Sequence, residues 1–327
     1  MDHCPPEQPL FTFGVIADVQ YADVDDGYNY SRTRKRYYRS SLELLRKAQK
    51  RWSESAAKPE FILQLGDIID GLNKSRGASE LALNTVLREF GSSPGEVHHV
   101  WGNHEFYNFS RSALLSSRLN SSSLADCSPT GTPARPDIYA YQFCPFPGFR
   151  FVVMDAYDVS LLGRPESTEQ YRSALDQLKL YNTNEDLNCP PELEDFSRFT
   201  MFNGGFSRDQ MEWLESVLTS ADENQDRVTI VSHLPVHPSA TDWVCLAWNF
   251  EELLAAIRSH SSVVCYMAGH THTGGYHYDK ESGVHHLTLD GVIETPPDTD
   301  AFATVSVYTD RMVLKGYGMV MDQVFMF

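Results

Sequence analysis

The sequence predicts an α/β protein whose ligands bind at the carboxyl ends of its strands. Short apolar runs of strand length alternate with helical patterns of apolar residues in both halves of the chain, as is typical of sheets covered by helices. Several of these runs stop at a carboxylate, amide or imidazole side chain, and open α/β sheets bind ligands at that edge. The chain of 327 residues contains no internal repeat and no interior linker, so we expect a single domain over residues 1–327.

The first half contains three expected strands and two expected helices. Apolar runs at residues 11–17, 61–65 and 97–101 have the length of buried strands. Apolar residues recur at spacings of three and four between residues 32 and 54, and again after Ser79, which indicates amphipathic helices.

Two stretches lack this regularity. Residues 111–137 are rich in Ser, Asn and Pro, so we expect a long surface loop there. Residues 158–205 form a polar insert between core elements. Such inserts either carry specificity or are inert decoration, and the sequence leaves both possibilities open.

Regular patterns return in the second half. Ser207 and Gln210 form a capping box at the start of one helix, and Asn249 is expected to cap another. We expect the remaining strands at residues 139–143, 149–154, 228–231 and 263–268, with residues 284–289, 303–308 and 312–315 completing a second sheet.

Composition excludes several kinds of partner and location. The formal net charge is −17, and such a surface repels nucleic acid and anionic membranes, so we expect neither as a partner. No apolar run reaches the roughly 18 residues of a membrane span, and the first residues show no secretory signal. The 6 cysteines lie far apart without a CxxC pair, which favours reduced thiols and a cytoplasmic protein in the cytosol. No heptad seam is evident, so we expect a monomer.

Metal-ligand side chains follow five of the expected strands. These side chains are carboxylates, amides and imidazoles, which bind borderline-hard divalent metals. One polar residue at a strand end normally means a turn or a helix cap, but that explanation does not account for five such ends along one chain. The strand ends are Asp18-Val19-Gln20, Gly66-Asp67-Ile68-Ile69-Asp70, Gly102-Asn103-His104-Glu105, Ser232-His233-Leu234-Pro235 and Gly269-His270-Thr271-His272.

The order of these motifs resembles that of the calcineurin-like metallophosphoesterase superfamily over residues 18–272. The resemblance implies a four-layer α-β-β-α sandwich, with two mixed sheets flanked by helices and a dimetal site at the strand carboxyl ends. A carboxylate suits the bridging position implied for Asp67, because its two oxygen atoms can contact two cations. The ligands implied for the two divalent metal ions are Asp18, Gln20, Asp67 and His272 for one, and Asp67, Asn103, His233 and His270 for the other.

Gln20 departs from the superfamily pattern, which usually has histidine at this position. An amide oxygen is a harder and weaker ligand than an imidazole nitrogen, so we expect the first site to favour Mn²⁺, with Zn²⁺, Mg²⁺ or iron as alternatives. Several longer stretches resemble a manganese-dependent branch of the superfamily that hydrolyses the pyrophosphate bond of ADP-ribose and CDP-alcohols. These stretches are residues 16–20, 108–110, 203–206 and 244–248.

His104 is the expected general acid of the reaction. Asn103 fills the ligand position beside it, so the imidazole of His104 is free to protonate the departing group. Asp70 lies three residues past Asp67, where it could orient that imidazole and favour its charged form.

The organic part of a small-molecule nucleotide diphosphate needs an aromatic or apolar face and a few polar partners. Most aromatic residues of such a chain belong to its core, so only some of the candidates are expected to contact the substrate. The candidates are Tyr28, Tyr30, Tyr107, Asn108, Leu187, Asn203, Phe206 and Cys245.

Two alternatives remain. A phosphomonoesterase or a cyclic nucleotide phosphodiesterase could use the same dimetal centre. A metal-binding scaffold without turnover is a third class of function, and the presence of Asp67, Asp70 and His104 argues against it.

Overall fold

The computed structural model describes residues 8–125 and 131–327. Its regular elements alternate between strands and helices, as the hydrophobic pattern predicts. The strands are β1 Phe11–Ile16, β2 Gly27–Tyr28, β3 Lys35–Arg36, β4 Phe61–Gln64, β5 Glu96–His99, β6 Tyr141–Phe146, β7 Phe149–Val153, β8 Arg227–Val231, β9 Val263–Ala268, β10 Thr273–Asp279, β11 Val284–Asp290, β12 Ala301–Val307, β13 Arg311–Gly318 and β14 Gln323–Met326. The helices are α1 Ser40–Glu54, α2 Leu72–Ser75, α3 Ser79–Phe90, α4 Asn103–Asn108, α5 Arg111–Leu115, α6 Glu169–Tyr181, α7 Arg208–Asn224 and α8 Phe250–Ser259.

The first sheet is mixed and has the strand order β14-β13-β12-β1-β4-β5. Strands β1, β4 and β5 are parallel, so their carboxyl ends meet at one edge. Strand β12 pairs antiparallel with β1, with Phe11 opposite Val307. The expectation that residues 303–308 and 312–315 join the second sheet is therefore wrong, because sequence proximity to β11 does not decide which strand they pair with.

The second sheet is also mixed and has the order β10-β11-β9-β8-β7-β6. Strands β7, β8, β9 and β11 are parallel neighbours. Strand β10 was not predicted, because its half-exposed residues lack an apolar run. Of the strands that the structure describes, it pairs only with β11, and it forms the edge of the sheet.

The two sheets pack face to face over an aromatic core and carry helices outside. Phe13 stacks on Phe61 with ring centroids 5.1 Å apart, and both rings contact the edge of Phe151 across the sheets at 5.2 Å. On the outside, Trp52 of α1 contacts Phe302 of β12. Burial of rings of this size supplies much of the hydrophobic stabilisation of the sandwich.

Several expected boundaries change in the structure. The helix expected at residues 32–54 begins only at Ser40, because Arg32 adopts a left-handed turn with φ 56° and residues 35–36 pair with β2. The loop expected at residues 111–137 contains α5, which Ser110 caps by accepting from the Ala113 N–H. The insert at residues 158–205 contains α6 and its own apolar cluster, in which Leu178 packs with Trp248.

The thiols are not all reduced. Cys189, Cys245 and Cys265 are free, but Cys144 is disulfide-bonded. The expectation of reduced thiols is therefore wrong at Cys144, because a wide separation along the sequence does not exclude contact in the fold. In the parts of the chain that the structure describes, no helix has the length and apolarity to cross a membrane.

Candidate metal centre

The predicted ligands gather where the carboxyl ends of both sheets meet. Asp18, Asp67 and Asn103 follow β1, β4 and β5 or begin the next helix, whereas His233 and His270 follow β8 and β9. This arrangement arises because parallel strands all end at the same edge. The turn after each of these strands places a polar side chain near a common point.

The backbone at this point is strained. Four of the seven predicted ligands have a left-handed φ, which costs a non-glycine residue roughly 1–3 kcal/mol. Strained residues of this kind cluster at functional sites, where the surrounding structure holds them in place. The four angles are 53° at Asp18, 42° at Gln20, 57° at Asp67 and 71° at His270.

Asp67, His233 and His270 form a compact group of ligand atoms that lie within 4.8 Å of one another. His233 Nδ1 donates to the Leu65 carbonyl at 2.7 Å, so Nε2 is the nitrogen that His233 turns towards the other ligands. That Nε2 lies 3.4 Å from Asp67 Oδ2 and 3.2 Å from His270 Nδ1. Burial, and then the neighbouring His233, lower the pKa of His270 well below its usual value, so its imidazole is neutral, as a metal ligand must be.

Asp18, Gln20 and His272 form the neighbouring half of the centre. Gln20 Nε2 lies 2.9 Å from His272 Nε2 and 3.3 Å from Asp67 Oδ2. His272 Nε2 also lies 3.5 Å from Asp18 Oδ1. Asp67 therefore stands between the two halves.

These residues fit divalent cations. Asp18 Oδ1 and Gln20 Oε1 are buried and, among the described residues, have no hydrogen-bond partner. A buried polar atom without a partner costs about 1–3 kcal/mol, so both oxygens need a ligand. A cation contacted by both oxygens and by the nearby imidazole nitrogens would satisfy them.

Asn103 lies between two tyrosine hydroxyl groups. The Tyr157 hydroxyl donates to Asn103 Oδ1 at 3.2 Å, and Asn103 Nδ2 donates to the Tyr107 hydroxyl at 3.2 Å. A tyrosine hydroxyl can donate or accept, so these two contacts hold the amide in place without deciding which end is the oxygen. Tyr157 was missed in the sequence, because a tyrosine after an apolar strand has the ordinary pattern of a core residue.

Gly102 is required here for space. Its φ is −104°, which any residue can adopt, but a Cβ at this position would collide with the carboxylate of Asp67. Gly66 differs, because its φ of 102° is itself a conformation that favours glycine. The two glycines let the loops after β4 and β5 approach each other at the centre.

His104 faces the centre through its Nε2 atom. Its Nδ1 accepts the Gly71 N–H at 2.9 Å, and Asp70 Oδ2 lies 3.4 Å from the same nitrogen. Asp70 is thus beside His104, but the imidazole in this structure is the neutral tautomer with its proton on Nε2. Burial lowers the pKa of His104 more than Asp67 and Asp70 raise it; Asp70 favours the charged form, as expected, but does not outweigh burial.

Glu294 was also missed by the sequence reasoning. Its Oε1 lies 2.8 Å from His272 Nδ1, and its Oε2 forms an ion pair with Arg34 at 2.9 Å. A carboxylate on the second nitrogen of a ligand histidine fixes the ring and its tautomer. No sequence signal could have found Glu294, because it lies in a short turn after β11 rather than at a predicted strand end.

Some of the substrate-contact candidates have exposed side chains, and others are buried. Tyr28 and Tyr30 are largely exposed, at 60% and 85%, and they line a surface cavity of about 580 Å³. Tyr107, Leu187 and Cys245 are partly exposed. The Tyr107 ring contacts His104, with centroids 5.0 Å apart.

Three candidates have no free face for a substrate. Phe206 is buried in the main core. Asn108 donates to the carbonyls of Asp70 and His104 and accepts from Ser79, so its amide is fully occupied. Asn203 is fully buried, and its amide oxygen contacts His270. For these residues the expectation of substrate contact is corrected, because a motif position does not reveal which face of the loop turns inward.

Similarity to known proteins agrees with this geometry. The calcineurin-like phosphoesterase family matches residues 11–274. The chain therefore belongs to the calcineurin-like phosphoesterase family, and its class of protein is that of the metal-dependent hydrolases.

Individual relatives are more specific. A protein from Danio rerio named manganese-dependent ADP-ribose/CDP-alcohol diphosphatase is 55% identical over 97% of this chain and 98% of its own length. Homo sapiens and Arabidopsis thaliana proteins of the same name are 52% and 38% identical, covering 96% and 94% of this chain and 92% and 94% of their own lengths.

Solved structures support the fold. The crystal structure of a dimetal phosphatase from Danio rerio superposes with a TM-score of 0.92 at 54% identity, covering 98% of this chain and 99% of that one. A purple acid phosphatase from yellow lupin (Lupinus luteus) is 13% identical, with a TM-score of 0.54 and coverage of 99% and 54% of the two chains, and shows the fold alone.

Proposed function

We propose that this chain hydrolyses the pyrophosphate bond of ADP-ribose and of CDP-alcohols such as CDP-choline, CDP-ethanolamine and CDP-glycerol. The products are AMP or CMP and a phosphorylated partner. The main support for the proposal is that Asp67, His233 and His270 lie together at one point. In addition, relatives that match nearly the whole chain are named for these substrates.

Two divalent metal ions, Mn²⁺ in function, fit the proposed centre. Their ligands would come from both sheets, and Asp67 would contact both ions, since its carboxylate lies between the two groups of ligands. When bound, the ions supply Lewis acidity for the phosphoryl oxygens and acidify the attacking water. The proposed ligands are Asp18, Gln20, Asp67 and His272 on one side, and Asp67, Asn103, His233 and His270 on the other.

His104 is the proposed proton donor to the departing phosphate. Its Nδ1 is occupied by the Gly71 N–H, so the group it can present to a substrate is Nε2–H. That nitrogen lies 3.9 Å from Asp67 Oδ2, at the edge of the centre. The role of Asp70 is then to hold the loop beside His104, since its Oδ1 accepts the Leu72 N–H at 2.8 Å.

The proposed base and sugar contacts come from loops at the rim. Tyr28, Tyr30, Tyr107, Leu187 and Cys245 are the candidates that keep an accessible face. The nearby thiol of Cys189, in the insert, raises the pKa of the Tyr30 hydroxyl, which indicates that the insert lies beside this loop. Burial raises the pKa of Cys245 to about 11, so its thiol would pack against substrate rather than react with it.

Product analysis tests the proposal directly. Purified protein with Mn²⁺ is incubated separately with ADP-ribose, CDP-choline, a 2′,3′-cyclic nucleotide and p-nitrophenyl phosphate, and the products are separated. We expect AMP with ribose 5-phosphate, and CMP with phosphocholine. Exclusive turnover of the cyclic nucleotide or the monoester would replace the proposal with one of the alternatives.

Matched variants exclude a contaminating activity. Asp67→Asn should abolish turnover, whereas Glu212→Gln changes an exposed carboxylate that pairs with Arg208 on α7 and should leave turnover unchanged. Equal activity of both variants would contradict an active site at Asp67.

We further propose a monomer in the cytosol, with neither nucleic acid nor membrane as a partner. The charge of −17 and the free thiols of Cys189, Cys245 and Cys265 support this proposal. The disulfide at Cys144 argues for an oxidising compartment instead. Size-exclusion chromatography and cell fractionation decide both points, and a dimer or an organellar protein would contradict the proposal.

A further inference from the structure

Asn203 lies at the neck of the 158–205 insert, where Val159 and Gly205 pair through two backbone hydrogen bonds of 3.0 and 2.8 Å. We propose that Asn203 is a positioning residue that fixes the ring orientation and tautomer of His270, so that one metal position depends on the insert. The proposal rests on the metal-dependent centre of the proposed function and is independent of the substrate.

The Asn203 amide has a single possible orientation. Its Nδ2 donates to the carbonyls of Arg198 at 2.8 Å and Val244 at 2.7 Å. Both partners are acceptors only, so the nitrogen of the amide must face them. The remaining atom, Oδ1, therefore points at His270 Nε2, which lies 2.9 Å away.

This orientation dictates the state of His270. An amide oxygen can only accept, so His270 Nε2 must carry the proton and its Nδ1 must carry a lone pair. That Nδ1 faces His233 Nε2 at 3.2 Å, and His233 turns this nitrogen to the centre because its Nδ1 donates to Leu65. A cation beside the Asp67 carboxylate can bind both nitrogens through their lone pairs once no proton lies between them.

Loss of Asn203 would allow a competing arrangement. Without an acceptor at Nε2, His270 could place its proton on Nδ1 and donate it to His233 Nε2 at the same 3.2 Å. A hydrogen bond would then occupy the position at which both nitrogens would otherwise bind the cation. Asn203 thus disfavours the His270 tautomer that donates from Nδ1 to His233 and favours the tautomer whose Nδ1 can bind the cation.

Asn182 supplies a matched control within the same insert. It is also fully buried, and its Nδ2 donates to the carbonyls of Leu187, Cys189 and Phe199. Its Oδ1 accepts the Asn184 N–H and, among the described residues, has no histidine as a hydrogen-bond partner. Replacing Asn182 therefore removes amide–carbonyl bonds from the insert without changing His270.

The first experiment compares Mn²⁺ binding to wild type, Asn203→Ala and Asn182→Ala by calorimetric titration. We expect Asn203→Ala to weaken the affinity for one of the two Mn²⁺ ions by about 10- to 100-fold, as is usual for loss of a group that orients a ligand. Asn182→Ala should keep both affinities within about 2-fold. Equal weakening in both variants, or none in Asn203→Ala, would overturn the proposal, whereas no Mn²⁺ binding by wild type would overturn the proposed function.

A second measurement uses the wild-type chain, so it holds even if Asn203→Ala does not fold. Histidine ¹⁵N spectra of the Zn²⁺-loaded protein report which ring nitrogen carries a proton. We expect His270 to be protonated at Nε2, and His233 and His272 at Nδ1. A proton at Nδ1 of His270 would show that Asn203 does not determine its tautomer.

Discussion

Gln20 places an amide at a position where the resemblance leads one to expect an imidazole. Its Oε1 is buried without a hydrogen-bond partner among the described residues, and its Nε2 lies near both His272 and Asp67. An amide oxygen is a hard, neutral ligand, so a cation held by Asp18 and Gln20 would be surrounded by more oxygen than is usual for zinc. The identity of a single side chain thus bears on the choice of metal.

Replacing Gln20 by histidine should shift the metal preference towards zinc. The imidazole nitrogen is a softer ligand than the amide oxygen, and soft nitrogen ligands suit Zn²⁺. The measurement is the ratio of activities with Mn²⁺ and Zn²⁺ in wild type and Gln20→His. The ratio of Mn²⁺ to Zn²⁺ activity should fall, and an unchanged ratio would sink the idea that Gln20 sets the preference.

Adjacent residues Asn103 and His104 should respond differently to replacement by alanine. Asn103→Ala removes a proposed ligand oxygen and should weaken metal binding, whereas His104→Ala removes a proton donor and should lower kcat by about 10²- to 10⁴-fold with metal binding retained. Calorimetric Mn²⁺ titration beside steady-state kinetics separates the two effects. Similar metal loss in both variants would refute this division of roles.

At the scale of elements, α4 and the turn after β4 are joined by one carboxylate. Glu105 Oε2 accepts from the N–H groups of Asp67 at 2.8 Å and Gly102 at 2.6 Å, and Oε1 accepts from Ile68 at 2.7 Å. The Gly102 contact is one half of a capping box at the start of α4. Glu105 therefore holds two loops of the first sheet at the distance that the metal centre needs.

Glu105→Gln should destabilise the metal-free protein by about 2–4 kcal/mol. The amide keeps one acceptor oxygen, but its NH₂ group must face at least one backbone N–H, which leaves buried donors unpaired. Chemical denaturation in the presence of a chelator measures the change. Glu43→Gln, at an exposed helix ion pair, is the control and should cost less than about 1 kcal/mol. If the two variants lose similar stability, the loops do not depend on Glu105.

At the scale of the whole molecule, several histidines that are not among the proposed metal ligands are buried in neutral form. Burial lowers the pKa of His98, His99 and His286 to about 3 and that of His237 to about 4. His98 stacks on Phe143 and contacts the Tyr141 hydroxyl, so it behaves as a core residue. Among the described residues, neither ring nitrogen of His286 has a hydrogen-bond partner.

These histidines should make the fold sensitive to acid. Their pKa is near 6.5 in the unfolded chain and lower in the folded one, so between about pH 6.5 and 4 the unfolded state binds more protons. Stability is therefore fully present above about pH 6.5, and each such histidine removes about 1.4 kcal/mol per pH unit as the pH falls below it. Denaturation of the metal-free protein at several pH values measures the slope.

His286→Leu isolates one contribution. With no imidazole to protonate, the loss of stability between pH 6.5 and 5 should be about 2 kcal/mol smaller than in wild type. The same two proteins compared at pH 7.5, where the imidazole is neutral in both states, give the packing effect of the substitution alone. An identical acid slope in both proteins would contradict the assignment to His286.

The sequence alone predicted much of this molecule. Hydrophobic periodicity located β1, β4, β8 and β9 to within a residue or two, because a buried strand is a local pattern that needs no knowledge of its partner. It missed β10, an edge strand without an apolar run, and it assigned β12 and β13 to the wrong sheet. Strand pairing depends on residues nearly 300 positions apart, such as Phe11 and Val307, and no local pattern records that.

The candidate site, like the fold, has features that the sequence predicts and features that only the tertiary structure shows. The sequence by itself determined which ligand types follow which strands, and therefore the class of chemistry, because carboxylates, amides and imidazoles at parallel strand ends must meet at one edge. Only the tertiary structure decided which atoms face that point: it placed Glu294 on His272, Asn203 on His270 and the Gly71 N–H on His104. Hydrogen bonds of this kind join distant loops, so their partners and directions exist only once both sheets have packed.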